Sequence, residues 1–153
     1  MQTFKLELGG INDLDLIAQL WMKLIQHHLE LEPHFKDRFL KTNWEQRKKD
    51  ISAKAKDLNL AFVRDPKSEE IIAYCISTTE QENEKQGEID SIFIEEAYRK
   101  SGIGEILMKN ACDWLDSKAV ATKKIRVSGS NESVIEFYKK FNFHPLYFIL
   151  QQA

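Results

Sequence analysis

The stretch AYRKSGIGEILMKNA, residues 97–111, brings Gly102 and Gly104 to the point where an amphipathic helix begins, just after Arg99 and Lys100. The first turn of a helix leaves backbone N–H groups without partners, and the macrodipole adds partial positive charge there. Such a terminus binds phosphate, and glycine lets a bulky anion approach the backbone closely. Ile103, Ile106, Leu107, Ala111, Trp114 and Leu115 share one helix face, which would pin the helix to a sheet and hold its start still. The stretch therefore reads either as a phosphate cradle or as an ordinary helix start at a turn. Two other phosphate motifs do not fit. A dinucleotide fingerprint wants a small residue where Leu107 stands and an acid near Ser128 and Gly129. A P-loop wants GxxxxGK followed by Ser or Thr, which is absent.

Other chemistry-bearing residues fall into small groups. Glu88, Asp90, Ile92 and Ile94 alternate along a strand. A period of two puts them on one face, with two carboxylates ahead of an apolar edge. The competing reading is a solvated acidic strand end. Tyr138 lies with Val134, Phe137 and Phe141 on one helix face, where periodicity alone reads it as a core tyrosine. His27, His28 and His34 lack metal-ligand spacing and read as surface or helix-end histidines, so no metal site is expected. Cys75 and Cys112 form neither CxxC nor zinc spacing and read as small buried hydrophobes.

These residues need elements to position them. Thr3–Leu8 alternates as a strand and Gly9–Gly10 breaks it. Asn12 opens a helix with an apolar stripe at Leu14, Ile17, Trp21, Leu24 and Leu31, which Pro33 ends. Thr42–Glu45 has capping-box form, and Trp44, Ile51, Ala55 and Leu58 share a face of the helix it starts. Leu60–Asp65 and Glu70–Thr79 read as a hairpin, and Glu88–Ile94 as the next strand. A helix to about Asp116, a strand and turn at Lys124–Ser130, and a helix at Asn131–Phe141 follow. Pro145–Leu150, strongly apolar, reads as a last core strand; an exposed edge there would build a homodimer. Neighbouring strands imply antiparallel pairing, and the long helical crossover after Glu88–Ile94 implies a parallel, right-handed connection.

Bulk properties bound the function. The chain has 153 residues, 42% hydrophobic and 30% charged, with a net charge of -2. This is one globular domain over residues 1–153, with no field that would draw it to nucleic acid. No apolar run reaches membrane-spanning length, and MQTFKLELGG has no secretory pattern. A reducing, cytoplasmic setting is expected.

At this point the chain resembles the GNAT family of acyl-CoA-dependent N-acetyltransferases. The family's core motif is Arg or Gln, two residues, Gly, one residue, then Gly or Ala. Here it reads Arg99-Lys100-Ser101-Gly102-Ile103-Gly104, between a strand and a long helix. A second motif places Asn after the next strand and Tyr on the following helix; here NESVIEFYKKFNF supplies Asn131, Tyr138 and Phe143. Glu96, Lys100 and Asn142 stand where Pro, Gly and Gly are common. Upstream, only the order of elements agrees. The resemblance implies an α+β fold: a mixed, mostly antiparallel sheet of six to seven strands flanked by about four helices.

It also implies direct transfer of an acetyl group from acetyl-CoA to a primary amine, with no metal. Backbone N–H groups from Lys100 to Gly104, with Arg99, Ser101 and Ile103 in the same loop, would hold the pyrophosphate. Pantetheine would lie along Ile92, Phe93 and Ile94, with Asn131 nearby and an N–H near Ile94 polarising the thioester carbonyl. Tyr138 would be the general acid, and Asp90, then Glu88, the base. Acids at residues 80–90, with Glu30 and Glu32, suggest a cationic small-molecule or peptide amine as acceptor. A second reading, from another class, is a non-catalytic acyl-CoA-binding regulatory module; a third is a structural interaction domain.

Overall fold

The computed structural model describes residues 3–153. Its sheet has five strands in the order of the chain: β1 Leu6–Gly9, β2 Ala55–Arg64, β3 Ile71–Glu80, β4 Gln86–Ile94 and β5 Thr122–Ile125. The first three pairings are antiparallel and β4 pairs β5 in parallel, as the helical crossover requires. The helices are α1 Ala18–Leu31, α2 Asp37–Leu40, α3 Trp44–Lys54, α4 Ile103–Ser117 and α5 Ile135–Lys139.

Both faces of the sheet are covered. On one, Val63, Ala73, Cys75 and Ile89 meet Ile103, Leu107, Met108 and Leu115 of α4 and Tyr138 of α5. On the other, Phe62, Tyr74, Ile76 and Phe93 meet Leu14, Ile17, Trp21, Trp44 and Ile51. Successive residues of β2 and β3 thus enter opposite cores. This explains why LAFV and AYCI read as continuous apolar runs rather than alternating ones. Leu107 is fully buried against the sheet. Leu107→Ala is expected to destabilise the fold by about 2–5 kcal/mol through lost contact and an unfilled cavity, read from denaturant titration.

The architecture is α+β as expected, with five strands and five helices among the described residues instead of six to seven and four. The extra helix is the single turn α2. The missing strand is Pro145–Leu150, which forms no ladder with its own sheet. Residues 11–17 form 3-10 turns ahead of α1, not one continuous α-helix. Asn43, not Thr42, caps α3: its side chain accepts from the Gln46 N–H at 2.9 Å. That helix stops at Lys54, and Leu58 lies on β2, which follows without a loop. The strand expected at Lys124–Ser130 ends at Ile125. No helix among the described residues is long and apolar enough to cross a membrane.

Candidate active site

The parallel ladder between β4 and β5 ends at Ile89 and Ile125. Beyond that pair the strands part. A small cleft opens between Ile89–Ile92 on one side and Ile125–Ser128 on the other, and Asn131, Tyr138, Leu24 and His28 also line it. Its volume is ≈ 90 Å³. Among the described residues the remainder of β4 pairs only with β3, so no strand covers its other edge along Ile92–Ile94.

The carboxylates reach this cleft by a route that alternation does not give. Ile76 pairs with Ser91, but Ser77 pairs with Ile89, so Asp90 is the extra residue of a β-bulge. The bulge resets the parity of the strand. Ile92 and Ile94 pack toward α4, whereas Glu88 and Asp90 meet α3 on the opposite face. The expected single face for Glu88, Asp90, Ile92 and Ile94 is therefore split in two. Asp90 pairs with Arg47, and burial holds its carboxyl above the usual range while Arg47 opposes the rise. Glu88, 3% exposed, accepts from Lys54 at 2.8 Å and from Arg126 at 3.2 Å.

Tyr138 is 9% exposed and borders the cleft from α5. Burial pushes its phenol pKa well up, and no hydrogen bond offsets the effect. The hydroxyl is therefore a proton donor across the neutral range. The buried side-chain oxygen of Asn131, Oδ1, has no partner, and neither has Nδ1 of His28. The His28 ring stacks on Phe39 with centroids 5.0 Å apart. Burial first, then the charges of His27 and Arg38, lowers its pKa, so the imidazole is neutral at pH 7. Sequence reading missed His28 as a cleft residue. The signal was present: Trp21, Leu24 and Leu31 leave a gap at 28, four residues after Leu24 on the inner face of α1.

The glycine loop adjoins the free β4 edge. Lys100 and Gly102 have left-handed backbone, with φ of 63° and 91°, between residues of ordinary hand. Such alternation turns successive N–H groups into a concave anion site. No side chain caps α4, whose first turn follows directly. A Cβ at Gly104 would lie 2.9 Å from Cζ of Phe137 and 3.4 Å from Cδ1 of Ile94. The missing side chain thus lets helix start, strand edge and α5 converge. Arg99 is turned back into the fold: its Nε donates to the Ile94 carbonyl at 2.9 Å and its guanidinium covers the Phe93 ring. The Ser101 hydroxyl donates to the Tyr98 carbonyl. These contacts shape the loop and leave its N–H groups to meet an anion.

The sequence model described as the Acetyltransferase (GNAT) family matches residues 21–143. The chain belongs to the GNAT family. The match spans both glycines of the cradle, the bulged strand and Tyr138. No curated protein matches the chain in sequence. Among solved structures, a tetramutant of a Bacillus halodurans protein aligns with a TM-score of 0.73 and 14% identity, covering 97% of this chain and 99% of that one. A ribosomal-protein-alanine N-acetyltransferase from Brucella melitensis biovar Abortus aligns at 0.66 and 13% identity, covering 99% of each chain. Glucosamine-6-phosphate N-acetyltransferase from Arabidopsis thaliana aligns at 0.65 and 16%, again covering 99% of each. At these identities the likeness concerns the fold.

Two departures from the usual GNAT pattern find local accounts. Lys100 takes a left-handed backbone where glycine is common, at a steric cost of roughly 1–2 kcal/mol. Asn142, with φ of 66°, ends α5 in a Schellman motif: Phe143 N–H donates to Tyr138 O at 3.2 Å and Asn142 N–H to Lys139 O at 3.0 Å. Asparagine does there what glycine does elsewhere. Among the described residues, no cluster of three His, Cys, Asp or Glu could hold a metal ion. The acids thought to favour a cationic acceptor are largely engaged: Glu84 by Lys56, Glu88 and Asp90 as above, and Glu32 by the backbone N–H groups of His34 and Phe35.

Proposed function

We propose that this GNAT chain transfers an acetyl group from acetyl-CoA to a primary amine by direct attack within a ternary complex. The observation that carries the reading is the convergence at Gly104 of an uncapped helix start, the free edge of β4 and the helix bearing Tyr138. The N–H groups of residues 100–104 would hold the pyrophosphate, and Ile92–Ile94 would line the pantetheine. The unpartnered Oδ1 of Asn131 is an acceptor suited to an amide N–H of that arm. A cleft of ≈ 90 Å³ would take only the reacting groups, and the nucleotide would lie outside it. When bound, acetyl-CoA supplies the activated acyl thioester.

The chain's own residues handle protons and charge. As the neutral amine nitrogen bonds to the acyl carbon, the C–S bond breaks, the Tyr138 hydroxyl protonates the departing thiolate, and the phenolate left behind takes the proton shed by the new amide nitrogen. A backbone N–H near Ile94 stabilises negative charge on the carbonyl oxygen, a contribution of about 2.7–4 kcal/mol in comparable acyl-transfer sites. Holding both reactants in one cleft supplies a further share, up to ~7–11 kcal/mol. Asp90 takes the proton from the incoming ammonium, with Glu88 behind it. A carboxylate held above its usual pKa by burial is a better proton acceptor than an exposed one. A small amine or a peptide amine is the acceptor class, in a cytoplasmic setting that suits two free thiols.

One observation favours a second reading of the base. His28 is neutral at pH 7 and its Nδ1 is unpartnered in the cleft wall, whereas Asp90 is already ion-paired. The pH dependence of kcat/KM separates the two. If His28 is the base, activity falls as pH drops through its lowered pKa, below 6.5, and His28→Gln removes that limb. If Asp90 is the base, Asp90→Asn removes the acidic limb and His28→Gln leaves it.

The overall reading is tested by following thiol release from acetyl-CoA across a panel of amines, with CoA binding measured in parallel. Turnover on at least one amine is expected. CoA binding with no turnover on any amine would favour the non-catalytic acyl-CoA-binding module.

A further inference from the structure

The segment that follows β5 divides its side chains between two faces. Ile125 and Val127 pack with Ile92 toward α4. Arg126 reaches Glu88 and Ser128 meets Arg38 on the opposite face. Ser128 has extended backbone, and residues two apart in such a segment point the same way. That opposite face also holds Asp90, and the glycine cradle at the start of α4 lies on the other side. With CoA in the cradle, this face is left for the acceptor.

The charges on this face do not cancel. Arg47 matches Asp90, and Lys54 matches buried Glu88 at 2.8 Å. Arg126 is a second cation on the Glu88 carboxylate, reaching it through Nε at 3.2 Å. Its side chain is 67% exposed at the cleft, and among the described residues its Nη groups have no partner. Arg38, on α2, gives its Nη2 to the neutral Ser128 hydroxyl at 2.7 Å. Glu32 bears on Arg38 only through space, because its Oε1 already accepts from the N–H groups of His34 and Phe35. The Arg38 guanidinium also lies 4.5 Å from the centroid of Phe39, whose ring stacks on His28 in the cleft wall. Two contacts thus fix Arg38 before any ligand arrives, which lowers the ordering cost of binding. Guanidinium groups match the oxygens of carboxylate and phosphate through paired N–H donors.

We propose that Arg126 and Arg38 form an anion subsite, and that the acceptor amine carries an oxyanion group, a carboxylate or a phosphate, away from its amino end. The inference rests on acetyl transfer as proposed above and names the acceptor class. The amine faces Asp90 and the cleft, and the oxyanion faces the two guanidiniums. This reverses the acceptor charge expected from the acids at residues 80–90, since Glu88 and Asp90 are already paired.

The test uses the full chain and a matched set of primary amines of equal length, ending in a carboxylate, a phosphate, a hydroxyl or a second amine. Binding with CoA present is read by calorimetry, and turnover by thiol release from acetyl-CoA. At least one anionic amine should bind about 10-fold or more tightly than the alcohol, and the diamine should bind more weakly still. The tighter of the two anionic amines identifies the oxyanion. In R126Q and in R38Q the advantage over the alcohol should shrink to about twofold or less, with melting curves showing both variants folded. Arg38 is exposed and bonds only a neutral hydroxyl, so R38Q keeps the test decisive should R126Q unsettle Glu88. Anionic selectivity in binding that the variants abolish, with no turnover on any amine, would uphold the subsite and contradict acetyl transfer. Equal binding of all members, tightest binding of the diamine, no binding of any member, or selectivity indifferent to R38Q would overturn the subsite, even alongside turnover.

Discussion

Tyr138→Phe is expected to lower kcat by about 10²–10⁴-fold, the usual range for loss of a positioned general acid. CoA affinity should hardly change, because the phenol is not part of the cradle. Stability should be nearly unchanged. The ring is buried but the hydroxyl opens onto the cleft and makes no hydrogen bond within the protein. Phenylalanine fills the same space in the α4–α5 core. Steady-state kinetics, calorimetry with CoA and a melting curve read the three quantities. A fall in stability with unchanged kcat would make Tyr138 the plain core tyrosine that helix periodicity describes.

Gly104→Val should damage binding and folding together. Its Cβ would already stand 2.9 Å from the Phe137 ring, and the added methyls deepen the clash. Overpacking of this kind costs about 1–3 kcal/mol. To relieve it, the Phe137 ring must turn aside or α5 must shift away from the start of α4. CoA affinity is expected to fall by more than the ~10-fold that a 1.4 kcal/mol loss represents. Gly102→Ala makes a useful contrast. Its Cβ meets nothing within 4 Å, and the cost is backbone strain at φ of 91°, about 1–2 kcal/mol. Stability should drop for both variants, but only Gly104→Val should disturb the α5 packing seen by near-ultraviolet dichroism.

The helix start at Gly102 and the strand before it were legible in the sequence because they depend on local rules. A helix start, two glycines and a strand before them lie within fifteen residues of one another, and backbone chemistry does the rest. The hairpin of β2 and β3 was legible from its two apolar segments and the turn between them. What escaped was set by register and by contacts between distant segments. A period of two carried Asp90 onto the face of Ile92 because nothing in EIDSIF marks a bulge; the extra residue is visible only against β3. The partners of the acids, Arg47 on α3 and Lys54 at its end, lie some 34 to 43 residues away in the chain. His28 escaped because histidines were weighed as metal ligands rather than as members of the α1 stripe. Pro145–Leu150 has the composition of a buried strand, and composition does not say whether a sheet buries it.

The central claim is that the loop at residues 99–104 holds the pyrophosphate of CoA. Titration calorimetry of the full chain with CoA, repeated with Gly104→Val, tests it most directly. Saturable binding at one site per chain is predicted for the parent protein, with affinity that falls as salt rises and is lost or strongly weakened in the variant. Absence of CoA binding by the folded parent protein, or undiminished binding by a folded Gly104→Val, would contradict it.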